Sequence, residues 1–313
     1  MPADLEHLRT ADADAAARFF AEVGPEDLVA AVAASGDDDL LALVGREEVR
    51  PAAVAGIVAR LHEYSVDEAL KSLHGVVRFD LERRGKLLER HALSFARGSM
   101  TPLGPVGDDV SADVVLRTSL LRFVRLVSGD LNAGLAYLSG QLDIDGDADL
   151  ALAVGGLFRV PGSGSVAVDP RLLDPVDVAR ALGEVKGDHL RKVMRSGFRP
   201  VVLGEIFRRL PDFVNPDKSR GVSLCVGFRL AGNPSGEPER YVVELTDGAA
   251  AVSEGDEGGV RDATVSCEGH DFLRLVTGHL SPVAGVLKGQ LKVKGDKGKA
   301  LKLASVMDIP TAD

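Results

Sequence analysis

The C-terminal half of the chain places its apolar residues first at helical spacing and then at strand spacing. Residues 200–210 carry apolar side chains three and four positions apart, which predicts an amphipathic helix. Residues 223–230 and 241–245 are rich in β-forming residues, and the turn-forming run 232–236 lies between them. These segments predict two neighbouring strands, and residues 264–266 predict a third.

The remaining patterns of this half predict short helices around one more strand. Residues 271–277 predict a short helix, and Ser281 with Pro282 predicts the start of the next one. Residues 290–294 alternate between polar and apolar side chains, as in a strand with one buried face. Asp296 then predicts the N-cap of a last helix. This order of elements is typical of the α+β class.

The same patterns occur earlier in the chain, because the sequence is an internal duplication. A shift of 149 residues places residues 113–158 on residues 262–307 without a gap, with 15 identities in 46 positions. Ordinary residue usage predicts about three identities over that length. The same shift pairs Arg50 with Arg199 and Phe79 with Phe228, so the duplicated unit is a whole domain.

Four runs of copy two follow one another in a characteristic order, at residues 206–213, 226–228, 271–278 and 289–296. Copy one carries weaker forms of two of them, at residues 123–129 and 140–147. These runs resemble the sterol carrier protein 2 family of lipid-binding domains. The resemblance covers nearly all of residues 170–310 and most of residues 40–158. Their order and spacing, found twice, make the resemblance specific.

The resemblance implies a fold and a ligand. Each copy is expected to be α+β, with a mostly antiparallel five-stranded sheet covered by helices. An apolar cavity is expected to hold a sterol, a fatty acyl chain or a phospholipid. Copy one departs from the pattern through a shortened strand region at 84–91, and Tyr137 is the only aromatic residue of its segment 134–139. Copy two is therefore the better candidate for holding a ligand.

The candidate cavity residues are the apolar side chains that converge in each copy. From spacing alone an ordinary packed core is the favoured interpretation, since apolar faces fill space in most domains. The family resemblance is what suggests that these walls enclose a ligand. The candidates are Phe207, Leu210, Val226, Phe228, Phe272, Val276, Leu287, Leu291, Leu303 and Met307 in copy two, and Phe79, Phe95, Phe123, Val127, Leu138, Leu142 and Phe158 in copy one.

The repeat divides the chain into four expected parts. Residues 1–35 are expected to form an N-terminal helical extension, and residues 36–159 form copy one. Residues 160–172 include Pro-Gly-Ser-Gly-Ser and predict a flexible linker, and residues 173–313 form copy two. The extension is too short to be a separate catalytic domain.

Composition narrows the class of protein. The 313 residues are 45% hydrophobic and 27% charged, which is typical of soluble globular proteins. No stretch approaches the roughly 18 apolar residues of a membrane span, and the acidic N-terminus does not resemble a signal peptide. Two cysteines cannot form a disulfide framework, so we expect a cytoplasmic protein. A net charge of -10 makes nucleic acid an unexpected partner.

Candidate catalytic groups are few, and no cofactor, metal site or catalytic residue is predicted. Cys267 and His270 could pair as nucleophile and base, but a cysteine in a strand segment is more often a small core residue. The alternating Asp143, Asp145, Asp147 and Asp149 lack the glycine and the glutamate of a calcium loop. They indicate a solvated strand face followed by an N-cap.

Opposite charges stand on aligned strand positions of the two copies. Copy one has Asp143 and Asp145 where copy two has Lys292 and Lys294. These lysines could dock on an anionic membrane surface, bind an anionic head group such as that of acyl-coenzyme A, or meet the acidic face of copy one. A solvated charge run with no role is the simplest alternative.

We therefore expect a protein that binds or transfers an apolar ligand and is not an enzyme. The partner is an apolar small molecule, and contact with an anionic membrane surface would be transient. The alternative is an interaction module with filled cavities that binds a lipid-metabolising enzyme. The oligomeric state does not follow from the sequence.

Overall fold

The computed structural model describes residues 5–159, 171, 173–255 and 259–310. The chain forms two compact units, Met1–Asp169 and Pro170–Asp313, called unit 1 and unit 2 below. Each contains one five-stranded sheet with helices, so the predicted α+β class is confirmed. Apart from Arg171, the predicted linker 160–172 lies outside the described residues. No described helix is both long and apolar enough to cross a bilayer.

Unit 1 begins with helices and then forms its sheet. The strand order is β3-β2-β1-β4-β5, and only the β1 and β4 pairing is parallel. The predicted, mostly antiparallel sheet is thus confirmed. The elements are the 3₁₀ turn Glu6–Arg9, α1 Ala13–Glu22, α2 Pro25–Ala34, α3 Asp37–Val44, α4 Arg50–Arg60, the 3₁₀ turn Leu61–Tyr64, α5 Asp67–Leu70, β1 Gly75–Arg83, β2 Lys86–Ala96, β3 Ser99–Pro105, β4 Val114–Ser119, α6 Leu120–Ser128, α7 Ala133–Leu138, β5 Leu142–Gly146 and α8 Ala148–Leu157.

Unit 2 repeats this arrangement, with strand order β10-β9-β6-β7-β8 and a parallel pairing of β6 with β9. The equivalent strands of the two units occupy the same places in their sheets. The elements are α9 Pro175–Leu182, α10 Gly187–Val193, α11 Arg199–Arg209, the 3₁₀ turn Leu210–Phe213, α12 Pro216–Ser219, β6 Ser223–Ala231, β7 Glu239–Thr246, β8 Ala249–Glu254, β9 Ala263–Glu268, α13 Gly269–Val276, α14 Pro282–Leu287, β10 Lys292–Gly295 and α15 Lys297–Val306.

Helix starts follow the capping residues of the sequence. The predicted Asp296 cap is confirmed, since its carboxylate accepts a hydrogen bond from the Lys299 backbone N–H. Asp147 caps α8 at the aligned position of unit 1. Such a cap satisfies a backbone donor that the helix leaves free, which stabilises a helix by about 1 kcal/mol.

Within the shortened region 84–91 of copy one, only Arg84 and Gly85 form a turn, and residues 86–91 belong to strand β2. Arg84 and Gly85 join β1 to β2 with φ angles of 52° and 75°, a tight turn in the left-handed region. β2 is long, and residues 232–238 form the longer connection at the same place in unit 2. The chain shortens here because two left-handed residues are enough to reverse it.

Unit 1 has a second apolar cluster that the N-terminal helix α1 builds. Phe20 of α1 lies against α4, where a Cβ on Gly56 would come within 2.9 Å of the Phe20 Cβ. Glycine at that position therefore permits the close approach of the two helices. The cluster also contains Leu8, Ala16, Leu43, Val49 and Ala53.

Candidate functional site

The interior of unit 2 is lined by four aromatic rings between the sheet and the helices. Phe207 of α11 stacks on Tyr241 of β7 with ring centroids 3.7 Å apart, and on Phe272 of α13 at 5.1 Å. Phe228 of β6 meets the Phe207 and Phe272 rings edge-on at 5.9 and 5.5 Å. Sheet and helices thus contribute equally to one aromatic cluster.

Tyr241 is the member of this cluster that the sequence analysis missed. It lies opposite Phe228 in the β6 and β7 pairing, so both side chains point to the helices. Burial raises the pKa of Tyr241 to about 12, so its hydroxyl stays protonated at neutral pH. The β-forming run 241–245 contained the signal, but only the strand register shows which ring it meets.

The other candidates of unit 2 divide by burial. Leu210, Val226, Leu291 and Leu303 are buried, and Val276 and Met307 are half-buried. Leu287 differs, because 82% of it is exposed and it takes no part in this interior. It was placed there by its apolar character, but α14 packs through Gly285, whose Cα faces Leu291, and turns Leu287 to solvent.

A buried arginine holds one end of the unit 2 interior. Arg199, 1% exposed, pairs with Glu239 at 2.6 Å between Nη2 and Oε2. Its guanidinium also donates hydrogen bonds to the carbonyls of Met194, Leu230 and Ala231. A buried charge is stable only with such partners, so Arg199 fastens the start of α11 to strands β6 and β7.

Unit 1 has an ion pair equivalent to that of Arg199 with Glu239, but two of its interior side chains differ from the rings of unit 2. Arg50 pairs with Glu89 at 2.8 Å, as Arg199 pairs with Glu239. Where unit 2 has Phe207 and Tyr241, unit 1 has Val58 and His91, and His91 is fully buried opposite Phe79. At these two positions the interior of unit 1 therefore has an aliphatic and a polar side chain where unit 2 has two rings.

His91 and Glu89 form a polar pair on the inner side of the unit 1 sheet. His91 Nε2 lies 3.5 Å from Glu89 Oε2, and within the described part of the chain neither ring nitrogen makes a hydrogen bond. Burial raises the pKa of Glu89, but His91 and Arg50 outweigh it and hold that pKa below its ordinary value. Glu89 therefore stays ionised next to the imidazole.

The candidate residues of copy one lie mostly in the main core of unit 1. Phe79 meets Phe123 edge-on at 5.8 Å, and Phe95 is buried in the same cluster. Val127 and Phe158 are half-buried against the same cluster, and Leu138 and Leu142 are buried. The structure thus brings five of these seven residues into one cluster.

A groove of about 740 Å³ opens elsewhere in unit 1, and none of the seven candidates lines it. Its apolar wall comes from α3, α6 and the connection that follows α6, and its rim carries arginines. That volume falls in the range of roughly 300–1,000 Å³ found for small-molecule pockets. The wall residues are Leu41, Val44, Leu120, Leu121 and Leu131, and the arginines are Arg83, Arg84, Arg122 and Arg125.

Comparison with known families decides where the chain belongs. A family model, that of the SCP-2 sterol transfer family, matches residues 57–159 and 203–308. The chain belongs to this family. Both units are therefore SCP-2 domains, and the resemblance found in the sequence is confirmed.

Two curated relatives are longer proteins that contain a matching segment. Hydroxysteroid dehydrogenase-like protein 2 of Xenopus tropicalis is 30% identical over 105 residues, covering 34% of this chain and 24% of the relative. Stomatin-like protein 1 of Homo sapiens is 29% identical over 133 residues, covering 42% of this chain and 33% of the relative. The chain thus spans a quarter to a third of the length of these relatives.

Among solved structures, Sterol Carrier Protein 2 Like 2 from Aedes aegypti is similar to one part of the chain. It is 25% identical, and the match covers 35% of this chain and 95% of that protein with a TM-score of 0.29.

The cysteine and histidine of the second SCP-2 domain do not form a reactive pair. Cys267 is buried, and burial raises its pKa to about 12, so it is a thiol at neutral pH. His270 is buried too, and burial lowers its pKa. Over the described residues no group of three or more potential metal ligands is found. Cys267 is thus a core residue.

The outward strand faces of the two SCP-2 domains differ as their sequences indicate. Lys292 and Lys294 of β10 are exposed. Asp143 and Asp145 of β5 lie within 3.6 and 3.7 Å of Arg117 on the neighbouring strand β4. The acidic face of unit 1 is therefore partly neutralised by its own sheet.

Proposed function

We propose that this chain binds an apolar lipid ligand and carries it without catalysing a reaction on it. The observation that carries the proposal is the match of both units to the SCP-2 sterol transfer family. The ligand class is a sterol, a fatty acyl chain or its coenzyme A ester, or a phospholipid. Each buried methylene of such a ligand would contribute about 0.8 kcal/mol.

Unit 2 is the proposed binding unit. Its aromatic cluster and the half-buried Val276 and Met307 provide apolar walls from both the sheet and the helices. A ligand would take the place of contacts between rings, with Phe207 separating from Tyr241. Unit 1 is the weaker candidate for this interior, since His91 and Glu89 put polar groups at the equivalent place.

The proposal that the chain is not an enzyme rests on the low reactivity of its candidate nucleophile. Cys267, the nucleophile that the sequence offers beside His270, is protonated because burial raises its pKa to about 12. We also place the protein in the cytoplasm, since Cys225 and Cys267 are both free thiols.

Native mass spectrometry of the freshly purified full chain, with organic extraction, tests this function. We expect one lipid adduct per chain and uptake of a fluorescent fatty acid after delipidation. Val276→Trp should reduce the uptake at least about tenfold, because a larger side chain occupies the space of the ligand.

Val127→Trp is the matched control, since Val127 is the aligned and equally half-buried residue of unit 1. It should leave uptake within about twofold. Loss of uptake in Val127→Trp alone would move the site to unit 1. A clean apoprotein that takes up neither fatty acid nor sterol would contradict lipid carriage altogether.

A second function, an interaction module, is favoured by one observation. The rings of Phe207, Tyr241 and Phe272 already stack on one another and occupy the interior of unit 2. Such a module would bind a lipid-metabolising enzyme through its surface. The absence of any lipid adduct, together with a stable complex of the full chain and such an enzyme, would support it.

A further inference from the structure

Residues 282–302 of unit 2 form a segment unlike its counterpart in unit 1. They comprise α14, β10 and the first part of α15, joined by connections of four residues and one residue. The segment carries six lysines and one aspartate, whereas the aligned residues 133–153 carry four aspartates and no basic residue. Equivalent elements of the two units therefore differ by nine charges.

Most of these lysines are free to meet an external partner. Lys299 pairs with Asp262 at 2.6 Å, and Asp296 is occupied as the cap of α15. For the other five lysines the structure shows no ion pair with any described residue. They are Lys288, Lys292, Lys294, Lys297 and Lys302, all of them exposed.

Apolar side chains project from the same segment. Val283 and Leu287 of α14 are 55% and 82% exposed, and Val286 is exposed as well. Their spacing of three and four residues puts them on one side of the helix, and Lys288 follows directly. In unit 1 the aligned Tyr137 and Leu138 of α7 are buried, at 2% and 3%. Leu301 of α15 adds another exposed apolar side chain.

Exposed apolar residues among unpaired lysines match the chemistry of one partner. Anionic lipid headgroups attract clustered lysines, and apolar side chains that project beside them insert at the boundary between headgroups and acyl chains. A nucleic acid would use the lysines and leave Val283 and Leu287 in water. A protein partner would have to be acidic and apolar at once.

We infer that residues 282–302 dock unit 2 onto the surface of an anionic lipid bilayer. The five free lysines contact headgroup phosphates, and Val283, Val286 and Leu287 enter the interface. The docking proposal is independent of the lipid-carriage proposal, because the vesicle assay does not require a lipid bound inside the protein. Its failure would leave the carriage proposal intact, and the reverse also holds.

Co-sedimentation of the full chain with vesicles tests the charged part of the surface. One set of vesicles is phosphatidylcholine and the other is phosphatidylcholine with phosphatidylserine. We expect binding to the second set only, and weaker binding as salt is added, because salt screens exposed charges. Lys292→Glu with Lys294→Glu should lower the apparent affinity at least about tenfold.

The matched control moves the same number of charges elsewhere on unit 2. Lys186→Glu with Arg220→Glu changes two exposed basic residues outside the segment. This variant should bind within about twofold of the original chain. An equal loss in both double variants would show that net charge alone drives binding, and would overturn the docking surface.

A second pair of variants tests the apolar part. Val283→Ser with Leu287→Ser should weaken binding several-fold at low and high salt alike, because the lost contact is not electrostatic. Val176→Ser with Val260→Ser is the control, since both valines are exposed elsewhere on unit 2. Urea unfolding of each variant should lie close to that of the original chain, since all four side chains are exposed.

Two further outcomes would overturn the proposal. One is an original chain that fails to sediment with phosphatidylserine vesicles. The other is self-association without vesicles that Lys292→Glu with Lys294→Glu abolishes, measured by analytical ultracentrifugation. That result would assign the lysines to the acidic residues 143–149 of another chain.

Discussion

Units 1 and 2 share a strand order and an ion pair but fill their interiors with different side chains. The pair of Arg50 with Glu89 joins α4 to β2, and the pair of Arg199 with Glu239 joins the equivalent elements α11 and β7. Beside that pair, unit 2 stacks Phe207 on Tyr241, whereas unit 1 has Val58 and His91. The ion pair and the strand order are therefore common to both units, while the interior side chains differ between them.

The helix that precedes the sheet, α4 in unit 1 and α11 in unit 2, also carries different side chains on its outer side. In unit 1, α1 packs on the small residues of α4 around Gly56. In unit 2 the aligned residue of α11 is Glu205, which pairs with Arg208 and Arg209. This helix face is therefore held by apolar contacts in unit 1 and by ion pairs in unit 2, where the Glu205 side chain is only 16% exposed.

Removing the buried arginine should have the largest effect. Arg199→Met removes the ion pair of Glu239, which keeps only the hydrogen bond from Asn233, and takes the Arg199 donor from three carbonyls, so unit 2 should lose about 3–5 kcal/mol. Arg50→Met should cost unit 1 about 2 kcal/mol, because Glu89 keeps its contact with His91. Hydrogen exchange followed by peptide mass spectrometry resolves the two units. Equal losses would show that the carbonyl bonds of Arg199 contribute nothing.

Exchanging the interior residues should have the next largest effect. Phe207→Val, which copies unit 1, removes the contacts with three rings and should cost unit 2 about 2–3 kcal/mol. Val58→Phe should destabilise unit 1 by about 1–3 kcal/mol through overpacking. Urea unfolding followed by the same exchange method measures both. A stabilised Val58→Phe variant would show that unit 1 has room for a ring.

The dependence of unit 2 stability on pH should be a smaller effect than these two substitutions, and it should come from His270. Burial lowers the pKa of His270 below 6.5, with Arg191 and Arg195 acting in the same direction against Asp271 and Glu268. The unfolded state then binds more protons, so unit 2 should lose stability as the pH falls below about 6.5.

The variant that checks this dependence is His270→Leu, because Leu121 stands at the aligned position of unit 1. Protection of unit 2 against hydrogen exchange, followed from pH 7 to pH 5, should fall less in the variant. An unchanged slope would exclude His270 as the source.

The smallest effect concerns the two thiols. Cys225 is half-buried and Cys267 is buried, and burial raises the pKa of both. Iodoacetamide should modify Cys225 first in the folded protein, with Cys267 at least about tenfold slower. Peptide mapping over time gives both rates. Equal rates would mean that unit 2 opens around β9.

The sequence predicts the elements where periodicity is strong. The helix at 200–210, the strands at 223–230 and 241–245 and the Asp296 cap all match the structure within one or two residues. The prediction omits β8, because Ala249–Glu254 is rich in alanine, a poor strand former. Its pairing with β7 and the turn at Asp247 and Gly248 hold it in the sheet.

The candidate site is less accessible to sequence reasoning, because it depends on contacts between distant segments. Phe207, Phe228 and Phe272 were found through their helical and strand patterns. Tyr241 needs the register of two strands, and the groove of unit 1 needs segments that run from Asp37 to Gln141. Leu287 shows the opposite kind of error: the sequence pattern placed it in the cavity, whereas in the short helix α14 it faces water.

The parallel pairing at the centre of each sheet affects how the chain folds during synthesis. Val77 pairs with Val114 and Val226 with Ala263, so β1 and β6 each wait for a strand made much later. If unit 1 has not closed by the time β6 is made, the open edges of the two similar units could pair with each other. Between the end of α8 and the start of β6 lie 65 residues. At roughly 5–20 residues per second, unit 1 has about 3–13 s to close before its repeat can compete.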